Sequence, residues 1–136
     1  MTQVSPAILC IDDDAAFRQT VSTRLTEEGF HVTAVATGRE GIVATWTERF
    51  DVILLDMCLP NQEGLNTYQT LRTNAATQQI PAILLTDLAG ESWWEALPYA
   101  TNSPCFVMGR STDWALLAVR INQLLAGVGS VSGRSR

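Results

Sequence analysis

Aspartates stand where apolar runs end. Ala7-Ile-Leu-Cys-Ile11 runs straight into Asp12-Asp13-Asp14, and Asp51-Val-Ile-Leu-Leu closes on Asp56. A third run, Ile80-Pro-Ala-Ile-Leu-Leu, closes on Thr86 and Asp87. Aspartate is a poor strand residue, so an acid pair closing an apolar strand asks for a reason. Singly, each acid has a plain structural use. Asp14 precedes a helical pattern and suits an N-cap, Asp12 or Asp13 suits a turn, and Asp56 suits a loop cap. Brought together, the acids repel one another and disfavour their own ionisation. A hard divalent cation relieves this. Mg²⁺ takes one or two carboxylates directly, with a backbone carbonyl and several waters. A carboxylate beside such an ion can act as a nucleophile toward a phosphoryl group and become an acyl phosphate.

The elements between these acids alternate. Asp14 opens a helix in which Phe17, Val21 and Leu25 share one face, and Gly29 ends it. His31–Thr37 is β-rich. A second helix follows Gly38, with Ile42 and Trp46 four apart. Asp51–Asp56 suits a strand buried on both faces. Leu59-Pro60-Asn61 makes a turn, and Gly64–Asn74 is helical, with Leu65, Tyr68 and Leu71 or Arg72 on one side. Ile80–Thr86 is a strand, with Pro81 near its start, where a missing N–H is tolerable. Glu91–Tyr99 is a short helix broken by Pro98. Pro104–Met108 is a fifth strand. Thr112 caps a last helix to Ala126, striped by Trp114, Leu117, Ile121 and Leu124 or Leu125. Five strands alternating with five helices predict a doubly wound parallel sheet in three layers, α/β/α, of flavodoxin-like order 2-1-3-4-5. In that order strands 1 and 3 are neighbours, and ligands gather beyond their carboxyl ends. Asp12, Asp13 and Asp56 therefore converge from distant segments, with Thr86 on the same edge.

Composition narrows the function. The 136 residues suit one domain, and 46% apolar content is enough for a real core. No apolar run nears the ~20 residues of a membrane span. Met1–Pro6 carries no basic side chain, so no secretory signal is expected and the cytoplasm is the expected location. A net charge of −5 disfavours direct nucleic-acid binding, which needs a basic face. Cys10, Cys58 and Cys105 are odd in number and widely spaced, which suits reduced thiols rather than disulfides or a zinc site. All nine basic residues are arginine.

Ile8–Asp14, Phe17-Arg18, Asp51–Pro60 with Gly64, and Ile80–Thr86 together resemble the receiver domain of two-component response regulators. The resemblance spans residues 7 to 126. It implies a non-enzymatic phosphorelay protein that accepts a phosphoryl group on Asp56 from a histidine kinase or phosphotransfer protein. It further implies that Asp13 binds Mg²⁺ directly, that Asp12 acts mainly through the ion's waters, and that the Cys58 carbonyl completes the ligands beside Asp56. Thr86 would bond a phosphoryl oxygen, and Phe106 would be the aromatic that turns inward when Thr86 moves. The face of the fourth helix, fifth strand and fifth helix would then engage a downstream protein or a second copy of the chain. Arg18 and Arg24 lie on the first helix, which in receivers commonly meets the kinase or phosphotransfer partner.

One departure matters. The family pattern expects Lys-Pro after the aromatic of the fifth strand, and here Phe106-Val-Met is followed by Gly109-Arg110. The residue after the threonine, usually small, is Asp87. One positive charge is lost and one negative charge gained, worth a few kcal/mol beside a dianion at an effective dielectric of about 20. Arg110 has two readings: it enters the pocket as a phosphate ligand, or it pairs with Asp87 and neutralises both. The departure keeps open a pseudo-receiver that signals by protein contact without phosphorylation. A remoter alternative is a haloacid-dehalogenase-like phosphatase using Asp12 as nucleophile and Asp14 as general acid, though the lysine and second acid pair of that family are missing.

The adjacent Trp93 and Trp94 point about 100° apart on a helix. They cover strand 5, or one of them marks an interface, where tryptophan is enriched. His31, the single histidine, is expected to be solvated. Residues 1–126 read as the domain, and 127–136 as a flexible tail or linker stub.

Overall fold

A computed structural model describes residues 5–87, 105–109 and 113–127. Its elements are β1 (Ala7–Ile11), α1 (Ala15–Glu27), β2 (His31–Val35), α2 (Gly38–Thr47), β3 (Val52–Asp56), a 3₁₀ turn (Pro60–Gln62), α3 (Glu63–Thr73), β4 (Ala82–Thr86), β5 (Cys105–Gly109) and α4 (Trp114–Leu125). The sheet order is β2-β1-β3-β4-β5, as the alternation predicts, and every pairing is parallel. Four of the five expected helices fall within the described residues. The expected helix Glu91–Tyr99, with Trp93 and Trp94, lies outside them, as do Arg110, Thr112 and residues 128–136.

The two-residue repeat of the strands divides their apolar side chains between two cores. Ile8, Cys10, Val52, Leu54, Ile83 and Leu85 face Val21 and Leu25 of α1 and Leu117, Ile121 and Leu124 of α4. Leu9, Ile11, Ile53, Leu55 and Leu84 face Tyr68 and Leu71 of α3, with Ile42 of α2 at the margin. All five residues of β3, and all five of β4, are buried. This explains why both read as unbroken apolar runs. Each fully buried Leu or Ile contributes about 1.5–3 kcal/mol relative to exposure.

Helix ends follow local chemistry. Asp14 caps α1, accepting hydrogen bonds from the Ala16 and Phe17 amides. Gly29 takes φ +96° just past the helix end, a backbone suited to glycine. Thr37 belongs to the start of α2 rather than to β2: its hydroxyl accepts the Glu40 N–H, while Glu40 accepts the Ala36 N–H. The cap of α4 is Asp113, which accepts the Ala115 N–H, and not Thr112 as the sequence suggested. Trp46 also departs from expectation. It is 70% exposed, while Ile42 alone of the pair packs on the sheet.

Candidate functional site

The acids meet because β1 and β3 are neighbours in register. Ile11 pairs with Leu55, so Asp12 and Asp56 leave the sheet side by side. Asp12 is fully buried, its Oδ1 accepting the Asp14 N–H at 2.9 Å. Arg18 of α1 reaches back and donates to the Asp12 carbonyl at 2.9 Å. Asp56 is 1% exposed, and its Oδ1 accepts the Cys58 N–H at 2.8 Å. Asp13 comes in from the exposed side. One carboxylate oxygen from each of Asp12, Asp13 and Asp56 lies within 4.8 Å of the others. Opposite ligands of an octahedral Mg²⁺ are about 4.2 Å apart. Three hard oxygen donors this close suit such an ion, and two of the carboxylates are buried.

The rest of the edge is equally specific. Leu85 pairs with Asp56, placing Thr86 one step beyond the acid on the adjacent strand. Thr86 is fully buried. Gly109, which the sequence resemblance sets in place of a lysine, pairs with Thr86 at the end of β5. Gly64 is needed by close approach: a Cβ there would lie 2.6 Å from the Asp56 carbonyl oxygen and 2.8 Å from the Met57 Cα. The chain reaches this contact through two left-handed residues, Asn61 (φ 59°) and Gln62 (φ 60°). Non-glycine residues in that region cost energy that the surrounding structure must hold.

Several assignments are refined. Asp14, the general acid of the phosphatase alternative, is engaged in capping α1. His31 is exposed as expected, yet its Nε2 lies 3.3 Å from Glu48 Oε2. Phe106 is buried, 8% exposed, in the core beneath α4. Sequence reasoning missed what covers its ring: the Arg120 guanidinium lies 4.7 Å from the centroid and donates to Gln123 at 2.9 Å. A basic residue on the sheet-facing side of the last helix was the available signal. The Cys58 sulfur was also missed. It lies 3.7 Å from Thr86 Oγ1 and accepts the Asp87 N–H at 3.4 Å.

The family model of the response regulator receiver domain matches residues 8–97, from β1 past β4. The chain belongs to the response regulator receiver domain family. Among curated relatives, it is similar to the transcriptional activator protein PfeR of Pseudomonas aeruginosa, 36% identical over 87 residues, covering 64% of this chain and 28% of that protein. It is also similar to the transcriptional regulatory protein AfsQ1 of Streptomyces coelicolor, 37% identical over 81 residues, covering 60% and 35%. The chain thus spans about a third of the length of the curated relatives it matches. Among solved structures, the receiver domain of a Francisella response regulator superposes with TM-score 0.77 at 25% identity, over 90% of this chain and 98% of that one. The receiver domain of a Pseudomonas aeruginosa sensor histidine kinase, which holds a magnesium ion in its active-site cleft, gives TM-score 0.77 at 23% identity, over 90% and 99%. Receiver domains are signalling domains, and the cluster of Asp12, Asp13 and Asp56 fits the family's phosphorylation site. Among the described residues, no helix is long and apolar enough to cross a membrane.

Proposed function

We propose that this receiver domain accepts a phosphoryl group on Asp56 from a histidine kinase or phosphotransfer protein. The observation that carries the reading is the meeting of three carboxylates, two from the loop after β1 and one from the end of β3, within 4.8 Å, with Asp56 buried. Asp13 and Asp56 would hold Mg²⁺ directly, Asp12 through its waters, and the Cys58 carbonyl would complete the protein ligands. Bound there, Mg²⁺ supplies positive charge against the repulsion between phosphoryl oxygens and carboxylates. A carboxylate oxygen of Asp56 attacks phosphorus, and the bond from phosphorus to the donor's histidine nitrogen breaks, its electron pair staying on nitrogen. Thr86 then bonds a phosphoryl oxygen. Phe106 and Arg120 relay the movement to the face of β5 and α4, where a downstream protein or a second copy binds. In this reading residues 1–126 are the working domain, 127–136 are a tail or linker stub, and the protein acts in the cytoplasm with no nucleic-acid contact of its own.

The absence of lysine favours a second reading, a pseudo-receiver that binds its partner unphosphorylated. Gly109 brings no charge to Thr86, so this reading turns on whether Arg110 replaces the lysine. Incubation with acetyl phosphate and Mg²⁺, followed by Phos-tag electrophoresis, separates the two. A shift in wild type that vanishes in Asp56→Asn is expected. No shift, where a control receiver shifts, selects the pseudo-receiver.

A further inference from the structure

We propose that Cys58 is a positioning residue that restrains Thr86 until the site is loaded, a role that rests on reading Asp56 as the phosphoacceptor. Three contacts meet on this one residue. Its amide donates to Asp56 Oδ1 at 2.8 Å. Its sulfur lies 3.7 Å from Thr86 Oγ1. The same sulfur accepts the Asp87 N–H at 3.4 Å. Cys58 is exposed, whereas Thr86 is fully buried, so the thiol of an exposed residue contacts a buried hydroxyl. The partners are 28 and 29 residues away in sequence, so these contacts tie the loop after β3 to the end of β4.

Sulfur is a weak donor and a weak acceptor. A restraint made of such contacts holds a preferred arrangement and still gives way to a charged competitor, because hydrogen bonds to ionised groups are roughly twice as strong. For Thr86 to donate to a phosphoryl oxygen on Asp56, a hydroxyl proton directed at the sulfur must turn away from it. Cys58 therefore steadies the acceptor through its backbone and opposes the switched position of Thr86 through its side chain. The restraint acts on the loading equilibrium. It makes no contact with the reacting phosphorus.

Amide hydrogen exchange at Asp87, without added ion or phosphoryl mimic, tests the restraint directly. Cys58 is remote in sequence, so Cys58→Ala leaves the intrinsic exchange rate of that amide unchanged. Exchange is expected to quicken about threefold or more when the sulfur is removed, and an unchanged rate overturns the proposal. Titration with beryllofluoride and Mg²⁺ tests the consequence. Cys58→Ala is expected to bind about threefold tighter than wild type, and the gain is expected to disappear in a Thr86→Val background, where no hydroxyl is held. Equal or weaker binding by Cys58→Ala, or a gain that survives Thr86→Val, overturns it. Failure of wild type to bind beryllofluoride overturns the phosphoacceptor reading itself. Binding by wild type with no gain in Cys58→Ala overturns the restraint alone.

Discussion

Gly64→Ala perturbs the site through backbone alone. The new Cβ would sit 2.6 Å from the Asp56 carbonyl oxygen, 2.8 Å from the Met57 Cα and 3.2 Å from the Met57 carbonyl carbon. Comfortable separations are about 3.3–3.6 Å to oxygen and 3.5–4.0 Å to carbon. The chain must therefore open by roughly 0.7 Å, and no rotamer change can supply the space. Overpacking of this kind costs about 1–3 kcal/mol. At about 4 °C per kcal/mol for a domain of this size, Tm should fall by roughly 4–12 °C. The displaced carbonyl belongs to the residue whose carboxylate joins the acidic cluster, and Mg²⁺ demands near-ideal octahedral geometry. Its affinity should fall at least about tenfold, since sites tolerate displacements of only about 0.5 Å. Circular dichroism melts and calorimetric Mg²⁺ titration measure the two effects. Gly29→Ala is the control: φ is +96° with nothing within 4 Å of the added Cβ. It should cost about 1 kcal/mol by backbone strain and leave Mg²⁺ affinity alone. A Gly64→Ala protein that melts within ~2 °C of wild type and binds Mg²⁺ equally would refute the reasoning from close approach.

Three further outcomes are expected. Asp13→Asn removes one anionic ligand from the exposed side of the cluster, and should weaken Mg²⁺ about tenfold or more with little change in Tm; unchanged affinity would remove Asp13 from the ligand set. Arg120→Ala uncovers the Phe106 ring, costing about 0.5–1 kcal/mol, and should shift the Phe106 ring resonances in NMR spectra; identical spectra would show that the guanidinium does not shape that environment. Arg72 is 6% exposed, and its Nε and one terminal nitrogen lack hydrogen-bond partners. Arg72→Met keeps the apolar stem and removes a poorly compensated buried charge, so Tm should hold or rise. A loss beyond ~1 kcal/mol in urea unfolding would show that its guanidinium's place 5.0 Å from the Tyr68 ring centroid and its hydrogen bond to the Gln78 carbonyl at 3.4 Å outweigh that burial.

The parts legible in the sequence were those governed by periodicity and by acids at strand ends. Val52–Asp56 could be placed because a strand buried on both faces leaves an unbroken apolar run, and Asp12, Asp13 and Asp56 followed once the strand order was known. The loop after β3 was not legible in detail. A turn at Pro60 was foreseeable, but the left-handed Asn61 and Gln62 carry no glycine signal. Periodicity put Ile42 and Trp46 on one face, yet α2 ends at Thr47, one residue further on, and Trp46 is left exposed. Side-chain contacts across long separations, such as Cys58 with Thr86 and Arg120 with Phe106, depend on how β4, β5 and α4 align, and no local pattern encodes that.

The interior place of β1, between β2 and β3, also governs how the molecule comes into being. Ile8 pairs with Val32 on one side and with Val52 on the other. During synthesis β1 waits for β3 before both its edges are occupied, because parallel neighbours must be joined by a crossover. The segment that completes this trio ends at Asp56, so the emerging polypeptide gains the second neighbour of β1 and the last clustered acid in the same stretch of translation. A ribosome paused before that point holds β1 with one edge still bare, and an unpaired strand edge is a template for aggregation.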